Sequence, residues 1–154
     1  MTTTSKLVQE APTQLGTGSE FNSLANATYA VSAVKDSSTS KPLDVIVNVT
    51  VAASSGTLTN KQVVVFALAS LDNTAWQSGV TSGSNALNEP DMTFLGTVPY
   101  NDAASAHTRN FSIYSAFGFV PKYFKIVLKN DTGVALAASS GATIYTSEIT
   151  GTSV

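Results

Sequence analysis

The chain has 154 residues, a formal net charge of −2 and only 12% charged residues. This length fits one domain, and an apolar content of 43% is ample for a hydrophobic core. The sequence has no basic patch of the kind that nucleic-acid binding requires, and its lack of cysteine excludes disulfides and thiolate sites. No segment approaches the ~18 consecutive apolar residues of a membrane helix. We therefore expect neither a nucleic-acid nor a membrane partner.

The surface is expected to be polar without being ionic. The charged fraction is about half of the usual ~25%, and Ser and Thr take the place of charged residues. A monomer that must stay soluble usually carries more charge, so this surface suits a protein that works packed against neighbours. The N-terminal residues contain no apolar signal region, so we expect synthesis in a cytoplasm.

The first segment of the chain, residues 1–21, is polar, contains Pro and Gly, and has no sustained hydrophobic period. We interpret it as an extended N-terminal arm that is either loose or laid over a partner. Residues 22–154 then form a single domain. The candidate partner-binding residues of the arm are Lys6, Leu7 and Val8.

The rest of the chain has the pattern of short β-strands, without a long amphipathic helical stripe. Segment 43–51 is the clearest strand, because Val45, Val47 and Val49 face one way while polar residues face the other. Segment 61–70 is apolar on both faces and predicts a central strand. The other predicted strands span residues 27–34, 91–98, 109–115, 122–129, 134–138 and 142–148.

The segment 122–129 also permits a helix, since Lys122, Lys125 and Lys129 are three and four residues apart. We favour a strand, because the segment is short, rich in β-forming residues and followed by a turn signal at 130–133. In a strand, Lys125 and Lys129 point away from the core. The side chains predicted to point into the core are those of Phe124, Ile126 and Leu128.

About eight short strands interrupted by long loops predict an all-β fold, an antiparallel β-sandwich of two sheets. A jelly roll is the leading topology. The longest irregular stretch, residues 71–90, is too long for a simple connection and carries the only tryptophan, Trp76. We favour Trp76 as the anchor of its own loop. The alternative is an exposed interface anchor or a sugar-stacking platform.

The sequence contains no recognisable catalytic or metal-binding motif. His107 is the only histidine and lies in a small polar loop, and the ten acidic residues are scattered singly. There is no His/Cys cluster, no calcium-binding loop and no nucleophile elbow. We predict a protein that is not an enzyme and that has no cofactor or metal.

Two groups of basic residues are further candidates for partner binding. Lys122, Lys125 and Lys129 are interpreted first as a solvated face and second as a contact for an acidic partner surface. Arg109 is the sole arginine, and its planar guanidinium is suited to bidentate pairing with a carboxylate of a partner.

Four stretches between residues 43 and 148 are similar to a known group of proteins. They are LDVIVNVTV, KQVVVFALAS ahead of a Gly/Ser-rich loop, FLGTVPY, and AFGFVPKYFKIVLKNDTGVAL. Together they resemble small structural proteins of tailed bacteriophages, a group that includes jelly-roll capsid cement, or decoration, proteins. No functional residue follows from the resemblance, because the matching positions build the fold.

The resemblance implies a non-enzymatic virion structural protein. The leading expectation is a cement protein on the capsid exterior, assembled in the host cytoplasm, which binds the major capsid protein lattice as a dimer or trimer and stabilises the shell. The alternative is a phage tail or fibre domain that binds host-surface carbohydrate through Trp76. The coat of a small virus is a third reading, less well supported because residues 1–21 lack the basic character of a genome-facing arm.

Overall fold

The protein is described by a computed structural model that covers residues 5–153. The chain forms two antiparallel β-sheets that pack face to face, which confirms the prediction of an all-β protein with two sheets. Within the described residues, no helix has the length and apolar character needed to cross a membrane.

Eleven strands are present in the described residues. In chain order they are β1 (Ser5–Gln9), β2 (Thr13–Gln14), β3 (Tyr29–Val31), β4 (Lys35–Asp36), β5 (Asp44–Val51), β6 (Gln62–Ser70), β7 (Ser82–Gly83), β8 (Thr93–Pro99), β9 (His107–Ser112), β10 (Tyr123–Asp131) and β11 (Ala142–Ser153). A 3-10 turn at Glu89–Asp91 precedes β8, and a short helix, α1 (Ile113–Phe117), follows β9.

The first sheet has the strand order β1-β11-β5-β9, and β2 also pairs with β11. The second sheet has the order β7-β3-β10-β6-β8, and β4 also pairs with β10. Strands β8 and β9 belong to different sheets, yet Arg109 of β9 donates a hydrogen bond of 2.8 Å to the carbonyl oxygen of Thr97 in β8. This contact joins the two sheets along one side of the sandwich.

The core lies between the two sheets and is built by residues that alternate along the strands. Strand β5 shows this most clearly, because every second side chain is buried and the ones between them are half-buried. Each fully buried aliphatic or aromatic side chain contributes roughly 1.5–3 kcal/mol to stability. The six residues predicted to lie in the core are all fully buried: Val45, Val47, Val49, Phe124, Ile126 and Leu128.

A second apolar cluster lies on the outer face of the second sheet. The long connection between β6 and β8 folds over this face, where its residues Val80 and Met92 pack with Phe66, Leu68 and Val127. Strand β6 is therefore covered on both faces. This explains why segment 61–70 is apolar on both faces, as predicted for a central strand.

Several predicted strands differ from the structure. Segment 27–34 forms a strand only at Tyr29–Val31, and the strand predicted at 142–148 continues to Ser153. Residues 134–138 are irregular, because their backbone bonds to a loop rather than to a strand: Leu136 donates to the carbonyl oxygen of Leu24 at 3.0 Å. The predicted strand 109–115 ends early, since the Ser112 hydroxyl accepts a hydrogen bond from the backbone of Ser115 and starts α1.

The structure does not confirm an extended arm over residues 1–21. Strand β1 pairs with β11 of the same chain, and the backbone N–H of Leu15 donates to Ile144 of β11 at 2.8 Å. The side chains of Leu15 and Phe21 are buried in the core. The sequence shows no hydrophobic periodicity in this segment because only isolated side chains enter the core. Backbone pairing with β11 holds the other residues of the segment in place. Residues 1–4 of the predicted arm lie outside the described residues.

The contribution of the N-terminal segment to folding can be measured with a matched pair of substitutions. Leu15 is 6% exposed and Leu7 is 68% exposed. We expect Leu15→Ala to lower the free energy of unfolding by about 2–5 kcal/mol, because it leaves a cavity in the core. Leu7→Ala should change it by less than about 0.5 kcal/mol. Urea denaturation followed by circular dichroism gives both values, and two equally small losses would contradict the packing of this segment.

Candidate functional site

The three lysines of the β10 region lie in three different environments. The Lys125 ammonium lies 4.0 Å from the centre of the Trp76 ring, a cation–π contact. The Lys129 ammonium lies 2.7 Å from the Glu89 carboxylate. Lys122 is exposed and its side chain makes no hydrogen bond or ion pair with the described residues. Two of the three therefore hold the β6–β8 loop on the second sheet.

Trp76 packs against the apolar cluster on the outer face of the second sheet. It forms an isolated β-bridge with Ser70 at the end of β6, and the Ser70 hydroxyl donates to the carbonyl oxygen of Ala75 at 2.6 Å. The indole is half-buried, and Lys125 covers part of it. The ring therefore holds the start of its loop and presents little free surface.

Glu89 fastens the far end of the same loop. Its carboxylate accepts hydrogen bonds from Lys129 and from the Tyr29 hydroxyl. Burial raises the pKa of Glu89, but the hydrogen bonds from Lys129 and Tyr29 outweigh it and hold that pKa below its ordinary value. The pKa of Lys129 is raised, chiefly by its hydrogen bond to Glu89. The ionised pair is thus the favoured state of the folded protein.

The Glu89 contact makes stability depend on pH. Because folding lowers the pKa of Glu89, its stabilising effect is present above the ordinary value of 4.5 and is lost as the pH falls through the folded-state pKa. We expect Glu89→Gln to lower the melting temperature at neutral pH. From about pH 6 to about pH 3, the variant should lose less further stability than the parent protein does. Parallel curves of melting temperature against pH would contradict this.

Arg109 lies in a surface groove next to the seam between the two sheets. The groove has a volume of about 330 Å³, and its lining includes Phe94, Leu95, Arg109, Phe111, Ser115 and Ala116. The guanidinium carbon lies 5.8 Å from the centre of the Phe111 ring. The ion pairs among the described residues are Lys35–Glu148 and Lys129–Glu89, so Arg109 has no carboxylate partner within them. We call this site the Arg109 groove.

The lining of the Arg109 groove includes an exposed aromatic side chain, that of Phe94, which is 58% exposed. The Phe111 ring, which also belongs to the lining, is buried. Gly96 of β8 lets the Phe111 ring approach closely, because Gly96 has a φ of +145° and the ring lies 2.8 Å from where its Cβ would be. Exposed aromatic residues around an arginine are typical of the energetically important centre of protein interfaces.

A second groove lies on the outer face of the first sheet, and we call it the Tyr145 groove. It has a volume of about 350 Å³, and its lining includes Gln9, Pro12, Ile46, Asn48, Asn110 and Tyr145. No residue that lines it is charged. The two grooves meet at Asn110, which contributes to both.

The three candidate residues near the N-terminus lie on β1, at the edge of the first sheet. Lys6 and Leu7 are exposed, and Val8 is half-buried. One edge of β1 pairs with β11, and within the described residues no strand pairs with its other edge. These residues are therefore separate from the lysines of β10, which lie in the second sheet.

The sequence analysis identified Arg109 but missed the aromatic residues around it and missed Tyr145. Both omissions have the same cause: no buried or exposed face was assigned to the aromatic residues of the strands predicted at 91–98 and 142–148. The alternation of side chains carries the missing signal for Tyr145, since Ile144 and Thr146 on either side of it are buried and it must face outward.

The described residues contain no group of three or more His, Asp or Glu side chains placed to hold a metal ion. His107 opens β9, with Nε2 2.8 Å from the carbonyl oxygen of Asp102 and its ring against the edge of Tyr100. Comparisons with protein-family models, curated proteins and solved structures find no significant match to the chain. Function is therefore inferred from the surfaces of this chain.

Proposed function

We propose that the chain is a non-enzymatic virion structural protein, a capsid cement or decoration protein that binds the major capsid protein lattice and stabilises the shell. The observation that carries the proposal is the Arg109 groove. It combines an arginine without a carboxylate partner among the described residues with the exposed Phe94 ring and the Phe111 ring beneath it, on a scaffold of paired strands. Such a site fits a partner segment that brings a carboxylate and apolar contacts.

We propose a jelly roll as the topology of the sandwich, and the strand order supports it. Eight strands are longer than two residues: β1, β3, β5, β6, β8, β9, β10 and β11. Counted from one to eight, they lie in the order 1-8-3-6 in the first sheet and 2-7-4-5 in the second. This is the order obtained when one long double-stranded ribbon, with strands paired as 1–8, 2–7, 3–6 and 4–5, wraps around the core. Jelly rolls are common in viral capsid proteins.

The low charge of the chain supports a role within an assembly. Because only 12% of the residues are charged, few charged side chains must lose their water when a partner binds. Many copies on one lattice would also strengthen attachment, because linked weak contacts act together. We propose that the protein works as a dimer or trimer, with Lys6, Leu7 and Val8 on the free edge of β1 available to a neighbouring copy.

The alternative is a phage tail or fibre domain. The location of the chain in the particle distinguishes this alternative from a cement protein. Electron microscopy of purified virions should show density for the chain on the head, at repeated positions of the shell. Density confined to the tail would favour the alternative. Absence of the chain from purified particles, measured by mass spectrometry, would overturn both proposals.

The Arg109 groove predicts which substitutions weaken attachment to shells. We expect Arg109→Gln to weaken binding to capsids that lack the protein by about tenfold or more, because it removes a charge-assisted contact with the lattice. Phe94→Ala should act in the same direction, because it removes exposed aromatic surface. Co-sedimentation of the purified variants with such capsids gives the affinities.

Lys41→Gln is the matched control, since Lys41 is an exposed cation that does not line the groove and lacks a side-chain partner among the described residues. It should bind like the parent protein. Melting temperatures of all variants separate weakened attachment from weakened folding. Equal affinities for the parent protein, Arg109→Gln and Phe94→Ala would show that attachment uses another surface.

A further inference from the structure

The two sheets differ in what covers their outer faces. The β6–β8 loop covers the outer face of the second sheet, and no described segment covers the first sheet in the same way. The exposed side of β5, β9 and β11 consists mainly of hydroxyl and amide side chains. Its carboxylate, Asp44, is already occupied, because it accepts hydrogen bonds from the Ser112 hydroxyl at 2.6 Å and from the backbone of Tyr114 at 2.9 Å. Within the part of the chain that the structure describes, this face is polar but offers no free charge.

The Tyr145 groove lies on this uncharged face. Its volume of about 350 Å³ falls within the range of roughly 300–1,000 Å³ that is typical of sites for small ligands. Tyr145 contributes an aromatic ring that is 38% exposed, and its hydroxyl has no hydrogen-bond partner among the described residues. Ile46 and Pro12 add apolar surface. One part of the groove is therefore flat and apolar.

The polar part of the groove is held in place by a pair of amides. The Asn48 side chain donates a hydrogen bond of 2.6 Å to the side-chain oxygen of Asn110. This bond leaves the NH₂ group of Asn110 as a donor, and the Asn48 oxygen receives only a long contact of 3.4 Å from the Thr50 hydroxyl. A fixed donor and a fixed acceptor thus lie side by side, next to an aromatic ring.

We propose that the Tyr145 groove binds a short neutral oligosaccharide, an activity separate from attachment to capsids. A sugar ring carries an apolar C–H face, which packs on the Tyr145 ring, and adjacent hydroxyls, which both donate to Asn48 and accept from Asn110. A charged ligand would find no counter-ion in the lining. A purely apolar ligand would leave the amides of Asn48 and Asn110 buried without partners, which is unfavourable.

The test uses the purified protein and defined sugars. We expect a printed array of neutral glycans to show binding. Maltotriose, cellotriose and triacetylchitotriose are then compared in solution by NMR. The sugar that binds should shift the side-chain amide signals of Asn48 and Asn110 and leave the side-chain amide signal of Gln62, in β6 of the second sheet, unchanged. Tyr145→Ala should weaken binding at least tenfold, while Tyr145→Phe should retain most of it because the ring remains.

Tyr114→Ala is the control, since Tyr114 is an aromatic residue with 53% exposure that does not line the groove. It should bind sugar like the parent protein. Lack of binding by any neutral glycan on the array and by the three trisaccharides would overturn the proposal. It would also be overturned if Tyr145→Ala instead abolished self-association in analytical ultracentrifugation, since the groove would then be an interface between copies. Neither result bears on binding to capsids, which is measured with the Arg109 and Phe94 variants.

Discussion

The apolar outer surface of β6 and β10 must be kept from water, and the rest of the structure depends on this constraint. Phe66, Leu68 and Val127 lie on that surface and are almost completely buried, although they point away from the main core. Burial of apolar surface contributes roughly 25 cal/mol per Å², which offsets the entropy lost when a long loop becomes ordered. The loop is held at one end by the β-bridge between Trp76 and Ser70 and by the Lys125 ammonium over the Trp76 ring. Glu89 holds the other end.

The β6–β8 loop covers the outer face of the second sheet, whereas the outer face of the first sheet and the seam between the sheets remain open to a ligand or partner. The Arg109 groove lies at the seam and the Tyr145 groove on the open face, and they meet at Asn110. The two grooves differ in chemistry, since one contains a cation with aromatic residues and the other is neutral. A lattice that holds many copies would turn weak sugar binding at each copy into strong attachment through multivalency. The two proposed activities are therefore compatible in one assembled particle.

The candidate site could be predicted only in part. Arg109 stood out because it is the sole arginine, but nothing local in the sequence shows that Phe94 and Ser115 lie beside it. The lysines at 122, 125 and 129 form one group in the sequence, yet two of them bind different residues of the β6–β8 loop. A spacing of three or four residues gives no information about which distant side chain covers each position.

The sequence by itself determined the fold class, the strand β5 and the inward face of β10, because alternation with a period of two is a local property of a strand with one buried face. Tertiary structure alone decided the place of the N-terminal segment and of residues 134–138. Leu15 is buried because β11 offers its backbone for pairing, and Leu136 is buried beside a loop from the start of the chain. Such burial depends on contacts between residues far apart in sequence, which leave no periodic pattern.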